Sequence, residues 1–168
     1  MSLYESTVPS FKKMLQNMDK WLGAAEAYAK KKNFDVNVLT QARLAPDQYP
    51  FVRQIQAACD AAKTATARLT GKEPPSHPDT EKTFEELHAR IRKVIAYIEE
   101  VPRKDFDGAE TRDIALPFLE GKKIVGNDYV NELSLPNFYF HAVTAYAILR
   151  HNGVELGKTD YIGSLNVK

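Results

Sequence analysis

Between Val8 and Lys32 the apolar residues fall at Val8, Phe11, Leu15, Met18, Leu22, Ala25 and Ala29, in alternating steps of three and four with charged residues between them. On a helix these positions align into one stripe, which is stable only when laid against partners of the same kind. Pro9 suits a first turn, where the N–H groups lack helical partners, and Ser6 or Thr7 can cap it. Lys30, Lys31 and Lys32 then face the negative pole of the helix dipole, and Asn33 tolerates the left-handed backbone of a C-terminal cap.

Three further stripes follow. Phe34 to Pro50 reads as an ordered connection with one short turn. A second helix is expected from Asp47 as cap, with Pro50 in its first turn, through Val52, Ile55, Cys59, Ala62, Thr66 and Leu69 to Gly71. Its many alanines favour close helix packing. Pro74, Pro75 and Pro78 make Lys72 to Pro78 a loop. Asp79 or Thr80 is the expected cap of a third helix, which buries Phe84, Leu87, Ile91, Val94, Ile95 and Ile98 and ends at Val101-Pro102. The segment from Arg103 to Pro136 has no helical period. Ile114-Ala115-Leu116 and Lys123-Ile124-Val125, separated by Glu120-Gly121, suggest a small hairpin, and Asn127 to Leu133 one or two helical turns. Pro136-Asn137 opens a fourth helix, Phe138 to His151, with apolar and aromatic residues all round, so neighbours should cover most of it. The tail, Val154 to Lys168, should be irregular. With 168 residues, 43% hydrophobic and 27% charged, these stripes predict an all-α four-helix bundle with an appended hairpin, as a single domain over 1–168.

The composition excludes several functions. With 23 Lys+Arg against 22 Asp+Glu the net charge is +1, so no global field draws nucleic acid or an anionic membrane. The most apolar stretch, Phe138 to Leu149, is about half a membrane span, and no signal-like leader precedes Phe11. A lone Cys59 forms no internal disulfide and fits a reducing compartment. The expectation is a cytoplasmic protein that binds neither nucleic acid nor membrane.

The last helix and tail, Leu135-Pro136-Asn137-Phe138-Tyr139-Phe140-His141 to Val154 and then Gly157-Lys158-Thr159-Asp160-Tyr161-Ile162-Gly163, together with Tyr49-Pro50-Phe51-Val52-Arg53-Gln54 and Arg68-Leu69-Thr70-Gly71, closely resemble an uncharacterised bacterial family, the domain of unknown function numbered nineteen-ninety-three. That family is similar to the DinB/YfiT-like superfamily. The resemblance implies a four-helix bundle, often dimeric, in which many members are metal-dependent thiol transferases or hydrolases. Those relatives hold the metal with one His from the second helix and a His-x-x-x-His pair on the fourth. Here the fourth helix supplies His141, position 145 is Ala145, and the second helix offers only Gln54 and Gln56, which are poor zinc ligands.

His141 sits inside the most apolar helix and needs a partner, such as a hydroxyl or carboxylate of a neighbouring helix, or a ligand. His88, four residues after Phe84, would have to meet it across the bundle, joined by a carboxylate such as Glu85, Asp60 or Asp19, to rebuild a zinc or nickel site. Arg150 and His151, with Lys158, Asp160 and Tyr161, would frame a pocket mouth for an anion, although the helix dipole alone accounts for the pair. Cys59 is read as a small buried hydrophobe. The preferred reading is a small-molecule-binding or non-catalytic module with no metal or cofactor, its pocket drawn from His141, Tyr146, Gln54, His88 and Arg150. The alternatives are a divergent metal-dependent hydrolase or thiol transferase using His141, and a structural homodimer. A homodimer is the expected assembly, as a companion of the preferred reading.

Overall fold

The computed structural model describes residues 2–167; Met1 and Lys168, the outermost residues of the expected domain and tail, lie outside that range. Four long helices dominate it: α1 Leu3–Lys32, α2 Phe51–Leu69, α3 Phe84–Glu100 and α4 Leu135–His151. Helix α1 packs on α3, α3 on α2 and α2 on α4, which closes back on α1, so α3 and α4 lie across a diagonal. One cluster of buried residues runs through the bundle. Phe11 meets Phe138 edge-on at 4.7 Å between ring centroids, and Phe51 stacks on Phe84 at 5.5 Å.

The helix starts differ from those the stripes suggest, because caps rather than apolar residues set them. Helix α1 begins at Leu3, not at Val8, with Ser2 as its cap residue and the Ser2 N–H donating to the Glu5 carboxylate at 3.3 Å. Pro9 is therefore interior, and Ser6 and Thr7 turn their hydroxyls to the Leu3 carbonyl instead of capping. Helix α2 begins at Phe51 with Pro50 as its flanking residue, while Asp47 remains in the preceding turn. Helix α3 is capped by Thr83 with Glu86, not by Asp79 or Thr80. Asn33 does end α1 in the left-handed conformation, at φ 59°.

In the excursion, β1 Asp113–Ala115 pairs antiparallel with β2 Lys123–Val125, in the register Ile114 opposite Ile124. Gly126 follows at a close approach: a Cβ there would lie 1.8 Å from the Ala109 carbonyl oxygen. One α-turn, Gly126–Asp128, then leads into a π-helical segment, Tyr129–Ser134, that runs directly into α4. The tail is not wholly irregular: α5, Lys158–Ile162, lays Tyr161 flat on Trp21 at 5.6 Å, while the Trp21 indole N–H donates to the Asp160 carbonyl.

Candidate functional site

Helix α2 is buried at every position except Arg53, Ala57, Asp60, Ala61, Thr64 and Arg68. Their spacing of three and four makes one stripe, and that stripe floors a groove of about 360 Å³. The opposite wall is the π-segment and the start of α4, which contribute Tyr129, Leu133, Ser134 and Asn137, with Phe118 reaching over from the hairpin turn. A π-turn widens the helix by one residue and often marks a functional site. Here it carries Ser134 to the groove, where the residue is 3% exposed and its hydroxyl has no hydrogen-bond partner. A buried hydroxyl in that condition costs free energy unless something else meets it.

Behind the residues that line the groove, one helical turn beyond Asn137 on α4 and within the field of Arg53, stands His141. Its Nδ1 lies 2.8 Å from Gln54 Oε1, and Gln54 Nε2 donates to the Tyr49 carbonyl at 3.0 Å. Because the Gln54 amide nitrogen is engaged with a carbonyl, its oxygen faces the ring, so Nδ1 carries the proton and Nε2 the lone pair. Burial, followed by the charge of Arg53, holds the imidazole below its ordinary pKa and keeps it neutral. At one end of the groove Arg68 donates to the Tyr129 hydroxyl at 3.3 Å and lies over its ring.

The charges along the floor are mostly spent. Arg90, 3% exposed, gathers Asp60, Asp79 and Glu81, and Lys63 reaches Asp60 at 2.8 Å. Arg53 pairs with Asp79 and donates to Gln56 at 3.1 Å. The network ties the Pro-rich loop to α2 and α3, which explains why Asp79 does not cap.

A family model described as a domain of unknown function (DUF1993) matches residues 3–162. The chain belongs to this family. A solved structure described as a DinB family member protein from Shewanella denitrificans is 47% identical, with a TM-score of 0.96 over 99% of this chain and 94% of that one. No curated protein matches. The DUF1993 chain therefore has the all-α DinB-like fold that its last helix and tail suggested.

Of the pocket residues singled out from sequence, this DUF1993 structure joins His141 to Gln54, while elsewhere it sets His88 against Asp19 and Tyr146 against Tyr161. His88 is not near that pair. It faces α1, with Nδ1 2.5 Å from Asp19 and Nε2 3.5 Å from Glu26. Tyr146 packs edge-on against Trp21 and Tyr161 and donates to the Leu156 carbonyl. Arg150 donates to the Val154 carbonyl, closing the helix rather than framing a pocket. Among the described residues no group of three His, Cys, Asp or Glu side chains is placed to hold a metal ion. Cys59 is fully buried, and burial pushes its thiol up to about 12.

Sequence reasoning passed over Asn137, Ser134 and Arg68. Asn137 stands four residues before His141 on α4 and so shares its face. Its signal in the sequence is the interval itself, since Asn137 lies as far before His141 as Ala145 lies after it. Ser134 gave no signal, because the π-turn that positions it has no apolar period.

Proposed function

We propose that this protein binds a small molecule in the groove between α2 and the π-segment, one helical turn from the neutral His141 on α4. The observation that carries the reading is Ser134: a buried hydroxyl without a partner, in a groove that is the sole accessible face of α2. Ala57, Ala61, Phe118 and Leu133 give the groove an apolar part, and its polar groups converge on the same cavity, as they do in small-ligand sites.

The residues at the superfamily's metal position do not fit a divalent ion. Only His141 offers a strong donor, its Nδ1 is held by Gln54, and the second helix adds only the neutral amides of Gln54 and Gln56 and the cation Arg53. The test is a fragment screen by amide NMR, with metal content measured on untagged protein and on His141→Ala. Shifts confined to residues around Ser134 and Asn137, without stoichiometric metal, are expected. Near one zinc or nickel per chain, lost in the variant, overturns the reading.

A homodimer accompanies this proposal. Pro136, Phe140, Val143 and Ala147 form an accessible apolar stripe on α4, with Phe140 53% and Val143 46% exposed. The fourth helix is thus less covered than its sequence suggests, and a second copy of the same stripe would cover it. The cytoplasm remains the proposed compartment, supported by the single buried thiol; no described helix is long and apolar enough to cross a membrane.

A further inference from the structure

The end of the groove at Arg68 continues into a second depression of about 260 Å³, shared between Arg68 and Arg112. These two arginines differ from the others near the groove. Arg53 and Arg90 are matched to carboxylates, whereas Arg68 meets only a phenol hydroxyl and ring. Arg112 reaches only the Asp107 carbonyl at 3.5 Å, and its Nε, buried from solvent, has no partner. Among the described residues neither makes an ion pair. The negative pole of α2 offsets about half a charge near Arg68.

The acids nearby are mostly committed. Asp60 is held by Arg90 and Lys63, and Asp113 by Lys123 at 3.2 Å. Lys72 is matched by Asp105, so that of the groups around this depression Glu73 alone is left against two guanidinium groups. Guanidinium forks match the planar or tetrahedral oxygens of carboxylate and phosphate. From Arg68 back to Arg53 the stripe runs about 22 Å along the helix, at about 1.5 Å per residue. Ala57, Ala61, Leu133 and Phe118 make its middle apolar.

Resting on the groove reading above, we propose that the ligand is an amphipathic organic oxyanion. Its carboxylate or phosphate lies between Arg68 and Arg112, and its apolar body lies along Ala61, Leu133 and Phe118. Ser134 and Asn137 meet polar groups further along. The same arrangement disfavours cationic and neutral analogues, because they would leave the two guanidinium groups unmatched.

The probe is anilinonaphthalene sulfonate, an apolar ring system carrying one oxyanion, followed by fluorescence on the full chain. Saturable binding is expected, displaced by octanoate and octyl phosphate but not by octanol or octyltrimethylammonium. Arg68→Ala and Arg112→Ala should each weaken it about tenfold, the worth of one charge-assisted hydrogen-bonded pair. Arg68→Lys, which keeps the charge without the fork, should fall between and guards against loss of fold. Ala61→Trp, at a half-buried position on the groove floor, should abolish binding. If Ala61→Trp blocks the dye while the arginine variants bind like wild type, or octanol competes equally, the oxyanion assignment fails and the groove stands. If Ala61→Trp binds as well as wild type, the groove reading fails too. Absence of any saturable binding to wild type overturns the oxyanion assignment.

Discussion

His141 and Gln54 form a buried side-chain pair across α4 and α2, imidazole Nδ1 to amide Oε1 at 2.8 Å, and the Tyr49 carbonyl fixes the amide from behind. Gln54→Leu removes the acceptor and leaves a buried N–H unpaired, so the folded state should lose about 1 to 3 kcal/mol. Gln54→Glu substitutes a carboxylate and should raise the imidazole pKa instead. Urea melts check the first and an NMR titration of the His141 ring the second.

The lowered pKa of His141 has a definite sign in stability. The unfolded imidazole, with its ordinary value near 6.5, binds protons more readily than the folded one beside Arg53. Stability is therefore full above about pH 6.5 and is lost as pH falls below it, with a slope of at most about 1.4 kcal/mol per pH unit for one proton. Denaturation midpoints of wild type and His141→Gln, measured across about pH 5 to 8 (about one and a half units either side of the unfolded value), should diverge in steepness. His77, also lowered by burial, contributes equally to both proteins.

Ser134→Ala removes a hydroxyl that has no partner. In ligand-free protein the variant should be as stable as wild type or more stable by about 1 kcal/mol, against the usual direction for a buried substitution. Thermal melts decide it, and a loss of more than about 1 kcal/mol would show that the hydroxyl is satisfied in solution.

Arg90 holds three carboxylates from a nearly inaccessible position. Arg90→Ala leaves Asp60, Asp79 and Glu81 without their shared cation and should cost about 3 to 5 kcal/mol. Hydrogen exchange should rise first in the Pro-rich loop between α2 and α3, which that cation pins through the Pro78 carbonyl.

Phe140→Asp with Val143→Asp alters exposed positions and should leave the melting temperature close to wild type. Sedimentation should nevertheless change from dimer to monomer. A wild-type monomer at micromolar concentration would remove the homodimer.

The bundle was legible because each long helix carries its own apolar stripe, and the hairpin because Ile114 and Ile124 stand either side of a Glu-Gly turn. Helix starts were misjudged where a local hydrogen bond outweighed the stripe. Yet Ser2-x-x-Glu5 and Thr83-x-x-Glu86 both spell a capping box, so these two boundaries were readable. Arg90 was less so. It interrupts the apolar face between Leu87 and Ile91, and the acids that make its burial tolerable lie outside α3, on α2 and in the loop before it. The groove was illegible for a similar reason: the aperiodic π-segment brings Tyr129 and Ser134 opposite α2, and nothing local in the sequence marks that pairing.

The stacking of Tyr161 on Trp21 gives the molecule a built-in optical gauge. Trp21 is the one tryptophan in the chain, and its indole N–H is held by the tail through Asp160. Its emission therefore reports whether α5 is seated against α1. Departure of that short helix would wet the indole and redden the signal while the far-ultraviolet dichroism of the four long helices stayed almost unchanged, separating release of the tail from unfolding of the bundle.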